Sequence, residues 1–150
     1  MYLAISAFIL GGAILLYGMV YDVIKANDTL NEVLVITSSV HMAYEGKGDY
    51  DNVSSSMIAS MGGFPSRYIK DGDIQTPYGF KVSITGEELT ANQSMFKIDM
   101  PSLSVNACIK LMTMDFGSGL VTRTPGNGDD LSSKPFSVSK AESLCPKGKL

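Results

Sequence analysis

The sequence predicts an α+β fold: one long N-terminal helix packed on an antiparallel β-sheet head with small helices. Three observations carry that expectation. Residues 1–21 (MYLAISAFILGGAILLYGMVY) contain no Asp, Glu, Lys, Arg or His, so all 12 basic and 15 acidic residues fall from Asp22 onward. Beyond Asp22 the apolar residues Val23, Ile24, Leu30, Val33, Leu34, Val40 and Tyr44 recur mostly in helical steps, the stripe of an amphipathic helix. After Gly46 that period gives way to short alternating runs punctuated by Gly, Pro and Asp.

The charge-free run is about 30 Å long as a helix, the depth of a bilayer's hydrocarbon core. A removable signal peptide would carry a basic n-region and a shorter apolar stretch. Here no Lys or Arg precedes the run, and a membrane helix is the better reading. No proline occurs before Pro65, so the helix is expected to continue without a break for about 44 residues, about 65 Å, and to stop at Gly46 and Gly48. Its first half is apolar all round. Its second half has one apolar face that needs a head domain to cover it. Gly11, Gly12 and Gly18 lie inside the apolar half, and Ala7 with Gly11 forms a small-xxx-small pair suited to close helix packing.

Downstream, Tyr50–Ser60 reads as a short helix ended by Gly62, Gly63 and Pro65. Phe64–Pro77 reads as loop, with turn chemistry at Asp71-Gly72-Asp73. Tyr78–Thr85 alternates as a strand, Gly86 is expected to begin a turn, and Ser94–Met100 follows as a second strand. Ser102 or Ser104 is placed to cap a helix from about Val105 to Met114. Leu120–Arg123 and Phe136–Ser139 are short strand candidates on either side of an exposed loop, Thr124–Ser133.

The composition excludes several classes of function. At 150 residues one domain is expected. A formal net charge of −3 argues against a nucleic-acid partner. One histidine and two cysteines cannot build the usual structural zinc site, and no nucleophile elbow or phosphate-binding loop occurs. No catalytic residue, metal or cofactor is expected. His41 reads as a packing or interface residue. Asp71 with Asp73, and Asn127 with Asp129 and Asp130, read as solvated turns, because neither cluster matches a calcium loop. The two cysteines, Cys108 and Cys145, suit a single disulfide in an oxidising compartment, with two buried free thiols as the alternative.

Gly46–Tyr50 (GKGDY), Ile58–Ile74 (IASMGGFPSRYIKDGDI), Tyr78–Ile84 (YGFKVSI) and Met100–Met112 (MPSLSVNACIKLM) follow the apolar helix in a recognisable order. With the bracketing cysteines, nearly the whole chain resembles a type IVb pilin, and within that class the PilS-like major pilins of thin pili on conjugative plasmids. The resemblance implies a leader removed by a prepilin peptidase, with Met1 as the processed, N-methylated terminus. It also implies a Cys108–Cys145 bridge that pins the C-terminal region to the head. Residues 1–24 would be the membrane or filament-core half of the helix, and 25–150 the head, including the amphipathic half. Most type IV pilins carry a glutamate at the fifth position, thought to pair with a neighbour's terminal amine. Here that residue is Ile5, and no carboxylate precedes Asp22. The sequons beginning at Asn27, Asn52 and Asn92 read as incidental in a bacterial chain.

The expected function is therefore structural. The chain would be the major subunit of a helical homopolymer, held in the inner membrane before assembly and in an extracellular filament afterwards. Met1, Leu3, Ile5, Phe8, Ile9, Gly11, Gly12, Ile14, Leu15 and Gly18 would pack the filament core. Its partners would be other copies of itself, the pilus assembly machinery, and a tip adhesin or recipient-cell surface in conjugation or adhesion. Two alternatives share the helix: a minor pilin or type II secretion pseudopilin, and an exported domain merely anchored by it.

Overall fold

The computed structural model opens with one unbroken helix, α1 (Tyr2–Ala43), of 42 residues, about 63 Å at the helical rise. The structure describes residues 2–45, 47, 49–90, 93–117, 122–124 and 132–145, and side chains within them other than those at 2–11, 13, 15, 88–90 and 93. The expected helix stop at Gly46 and Gly48 lies outside the described residues. The turn after Ala43 closes with the Lys47 N–H donating to the Tyr44 carbonyl at 2.9 Å. The chain divides into two compact units, one of residues 28–103 with 149–150, the other of residues 1–27 with 104–148.

In the 28–103 unit, Thr29, Glu32, Ile36 and Val40 are fully buried. Their steps of three and four place them on one face of α1. Ile36, Val40 and Tyr44 enter a core with Val53, Ile58, Phe64, Tyr68, Ile74, Val82 and Ile84. The second half of the helix thus covers the head's apolar interior, but with a face offset from the expected stripe: of that stripe only Val40 and Tyr44 are buried, while Val23, Ile24 and Leu34 are exposed.

The short helix α2 (Ser55–Ser60) starts later than expected. Asn52 turns the chain at φ +62°, and the Ser54 hydroxyl caps the helix by accepting from the Met57 N–H. Phe64–Pro77 is more ordered than a loop. A 3₁₀ turn at Ser66–Tyr68 leads into a hairpin of β1 (Ile69–Lys70) and β2 (Asp73–Ile74). Asp71 and Gly72, at φ +54° and +82°, supply the two left-handed residues that a two-residue hairpin of this hand requires.

The strand expected from Tyr78 is displaced. Gly79 has φ +86° and the Phe80 N–H donates to the Thr76 hydroxyl at 3.2 Å, so Tyr78–Phe80 form a turn. The strands are β3 (Ser83–Thr90) and β4 (Gln93–Asp99), antiparallel from Ser83↔Asp99 to Thr90↔Gln93. Gly86 does not begin a turn but sits within β3 opposite Phe96. A Cβ there would strike the Tyr50 carbonyl, so glycine lets two backbones approach. The head has two separate two-stranded sheets among the described residues, where one sheet was expected. The buried Ser55 hydroxyl donates to the Val82 carbonyl at 2.7 Å and accepts the Ile84 N–H at 3.1 Å. It satisfies backbone groups at the start of β3 in place of a neighbouring strand.

In the other unit, α3 (Val105–Thr113) starts where expected, and its cap is Ser104 rather than Ser102, accepting from the Ala107 N–H. Phe136–Ser139 is not a strand: α4 (Val138–Leu144) occupies this stretch. The Phe136 N–H donates to the Met112 carbonyl at 3.0 Å. Of the Leu120–Arg123 candidate, 120 and 121 lie outside the described residues, and Arg123 forms an isolated antiparallel bridge with Ser132. Most of the expected loop, residues 125–131 with Asn127, Asp129 and Asp130, also lies outside them. Cys108 and Cys145 form the expected disulfide, joining α3 to the end of α4 with a Cα–Cα distance of 5.9 Å.

Candidate functional site

The dominant surface feature is bare apolar helix. Ile14, Leu16, Tyr17, Met19, Val20, Tyr21, Val23 and Ile24 are between 45% and 71% exposed. At 100° per residue these eight positions spread over about 220° of the α1 circumference, leaving the arc that carries Asp22 and Lys25. An exposed apolar surface of this extent marks a contact site. Ile14 and Gly18, two of the expected packing residues, lie in this stretch, and the exposed Gly12 lies just before it. A Cβ at Gly12 or Gly18 meets only open space, so packing within the subunit does not demand glycine at either. The side chains of Leu3, Ile5, Phe8, Ile9, Gly11 and Leu15 lie outside the described residues although α1 carries their backbone, and Met1 lies outside them altogether. Among the described residues no helix is long and apolar enough to cross a membrane.

The first charge, Asp22, falls within this stretch, and exposed apolar residues continue past it to Ile24. Tyr17 and Tyr21 stack, with ring centroids 6.1 Å apart and planes inclined by 11°, and Lys25 Nζ lies 4.5 Å from the Tyr21 ring centroid. Helix α3 is tied to this part of α1: Asn106 Nδ2 donates to Asp22 Oδ2, and Lys110 Nζ to Asn27 Oδ1, each at 2.5 Å. Asn106 and Lys110 are one turn apart, so one face of α3 makes both bonds. The disulfide fixes that same helix to α4.

Three buried polar groups, Glu32, Tyr68 and Arg123, escape sequence reasoning. Glu32 is fully buried, and neither of its carboxyl oxygens has a hydrogen-bond partner. Burial first, and the Asp28 charge second, push its pKa from 4.5 to about 8. The Tyr68 hydroxyl is likewise buried without a partner. Glu32 falls one turn before the buried Ile36, on a face that the apolar stripe read from the sequence does not mark. Arg123 donates from Nη1 to the Met112 carbonyl at 2.8 Å and stands 5.3 Å from the Phe116 ring centroid. Burial pushes its pKa down, with the Asp115 charge opposing.

His41 is exposed at the head's surface. It meets Phe96 and Tyr50 edge-on, with centroids 5.7 and 6.3 Å away, and its Nδ1 is 3.3 Å from the Tyr50 hydroxyl. Asp73 is held by Lys81 at 2.7 Å. These arrangements serve packing and surface structure.

The comparisons with known proteins bear on the exposed apolar surface of α1. The family model for bundlin matches residues 21–149. The chain belongs to the bundlin family. Two relatives are each described as the major structural subunit of the bundle-forming pilus. The one from Escherichia coli O111:H- is 24% identical over 136 residues, covering 89% of this chain and 68% of the relative. The one from Escherichia coli O127:H6 (strain E2348/69 / EPEC) is 24% identical over 155 aligned positions, covering 95% of this chain and 80% of the relative. No solved structure matches. This bundlin-family chain is a pilin, a structural protein and not an enzyme.

Proposed function

We propose that this chain is the major structural subunit of a type IVb pilus and polymerises through its apolar N-terminal helix. The observation that carries this reading is the run of exposed apolar residues from Ile14 to Ile24, which spreads over more than half of the helix circumference in the lone subunit. Removing it from water contributes about 25 cal/mol per Å². Before assembly the inner membrane does so. Afterwards the helices of neighbouring copies take the lipid's place, with Met1, Leu3, Ile5, Phe8, Ile9, Gly11, Gly12, Ile14, Leu15 and Gly18 in the filament core. A head-to-tail contact of this kind does not close on itself, so it propagates as a helical fibre. With Ile5 in place of a carboxylate, register rests on shape and on the glycines.

Prepilin peptidase and the assembly machinery would process and extrude the subunit. The thin pili of conjugative plasmids and an adhesive pilus are the two settings that suit such a filament, with a recipient-cell surface or tip adhesin as outer partner. A minor pilin, a pseudopilin or a merely anchored domain would share the helix but would not dominate a filament. Electron microscopy of sheared surface fractions, with mass identification of the main component, separates them. This chain is expected to be the bulk of the fibres, and fibres built from another subunit would overturn the proposal.

A further inference from the structure

We infer that Tyr17, Tyr21 and Lys25 form an anchor that seats α1 at the lipid–water boundary of the bilayer before assembly, an inference that rests on the membrane stage proposed above. The three residues are spaced four apart and share one face of the helix. Tyr17 and Tyr21 are 71% and 49% exposed, and their rings stack in parallel. The Lys25 stem reaches back so that Nζ caps the Tyr21 ring. Along the helix the three thus run from two stacked aromatic rings to an ammonium. That graded polarity matches the headgroup layer, where tyrosine rings meet acyl chains and lysines reach phosphate oxygens.

The spacing along the helix agrees. Residue 2, where α1 begins, is also a tyrosine, and residue 21 lies about 29 Å further along the axis, against about 30 Å of hydrocarbon. Between them, residues 3–16 contain neither tyrosine nor charge. Just past Tyr21, the Asp22 carboxylate accepts from Asn106, which ties that charge to α3. The occupant of this face is therefore the interfacial layer of a phospholipid bilayer.

The chain has no tryptophan, so Tyr21→Trp and, separately, Leu10→Trp each introduce a single fluorescent reporter. The full chain is reconstituted in vesicles of phosphatidylcholine and phosphatidylglycerol, with bromine placed either near the glycerol backbone or near the acyl-chain ends. The Tyr21→Trp chain is expected to be quenched at least about twofold more by shallow than by deep bromine, and the Leu10→Trp chain the reverse. Deep quenching in the Tyr21→Trp chain overturns the anchor. So does a Tyr21→Trp chain that neither lipid quenches while Leu10→Trp is quenched, because that leaves position 21 outside the lipid or against another copy. If neither chain is quenched, the membrane stage itself fails along with the anchor.

Discussion

Glu32 lies on the buried face of α1, and its carboxyl is deprived of both water and hydrogen bonds. Its pKa rises from 4.5 to about 8 on folding, so between these values the folded chain holds a proton that the unfolded chain releases. Stability is then fully present below about pH 4.5, falls as pH rises to about 8, and levels off above that, with a slope of at most about 1.4 kcal/mol per pH unit. Thermal melting across this range is expected to show that fall, and Glu32→Gln is expected to flatten it. An unchanged pH slope in the variant would remove Glu32 as its source. Gly86 makes a second prediction at this scale. Because a Cβ would meet the Tyr50 backbone, Gly86→Ala is expected to cost about 1–3 kcal/mol by chemical denaturation. A neutral result would mean that the two backbones part easily.

Among the elements, α1 and α3 were the most legible. A long helical period without proline left no other reading for α1. The serine before Val105 and the apolar spacing after it defined α3 to within a residue. The strands were harder, for physical reasons. β1 and β2 are two residues each, too short for alternation to register, and only Asp71-Gly72 hinted at the hairpin. Tyr78–Ile84 alternates like a strand, yet Gly79 spends its conformational freedom on a turn, and β3 starts at Ser83. Phe136–Ser139 alternates too, but Ser137 stands at the N-cap position and Ala141 is buried one turn in. The disulfide pairing was fixed by there being only two cysteines, but not the fact that it joins α3 to α4. It closes a loop across a separation of 37 residues, worth about 4 kcal/mol in the chain-entropy model. A Cys108→Ser, Cys145→Ser chain is expected to lose stability of that order. Melting curves with and without reductant should coincide for the variant and differ for the parent.

At the scale of the whole molecule, function follows from where the chain leaves apolar surface uncovered. The candidate surface was legible as a charge-free run, because a helix with no charge for 21 residues has few places to go. Its extent was not, since only the structure shows that exposure continues past Asp22 to Val23 and Ile24 while Thr29, Glu32, Ile36 and Val40 go fully under the head. The buried carboxyl was hidden because a lone glutamate among mixed charges ordinarily reads as a solvated one. The central claim is that the N-terminal half of α1 holds the filament together. Leu15→Asp places one charge in that half, outside the residues that form the head's core and the disulfide. Filaments counted by electron microscopy in sheared surface fractions, beside protease resistance of the disulfide-bonded head in the same cells, test the claim most directly. The account predicts that filaments vanish while the resistant head persists, and filaments at the parental yield from the Leu15→Asp chain would contradict it.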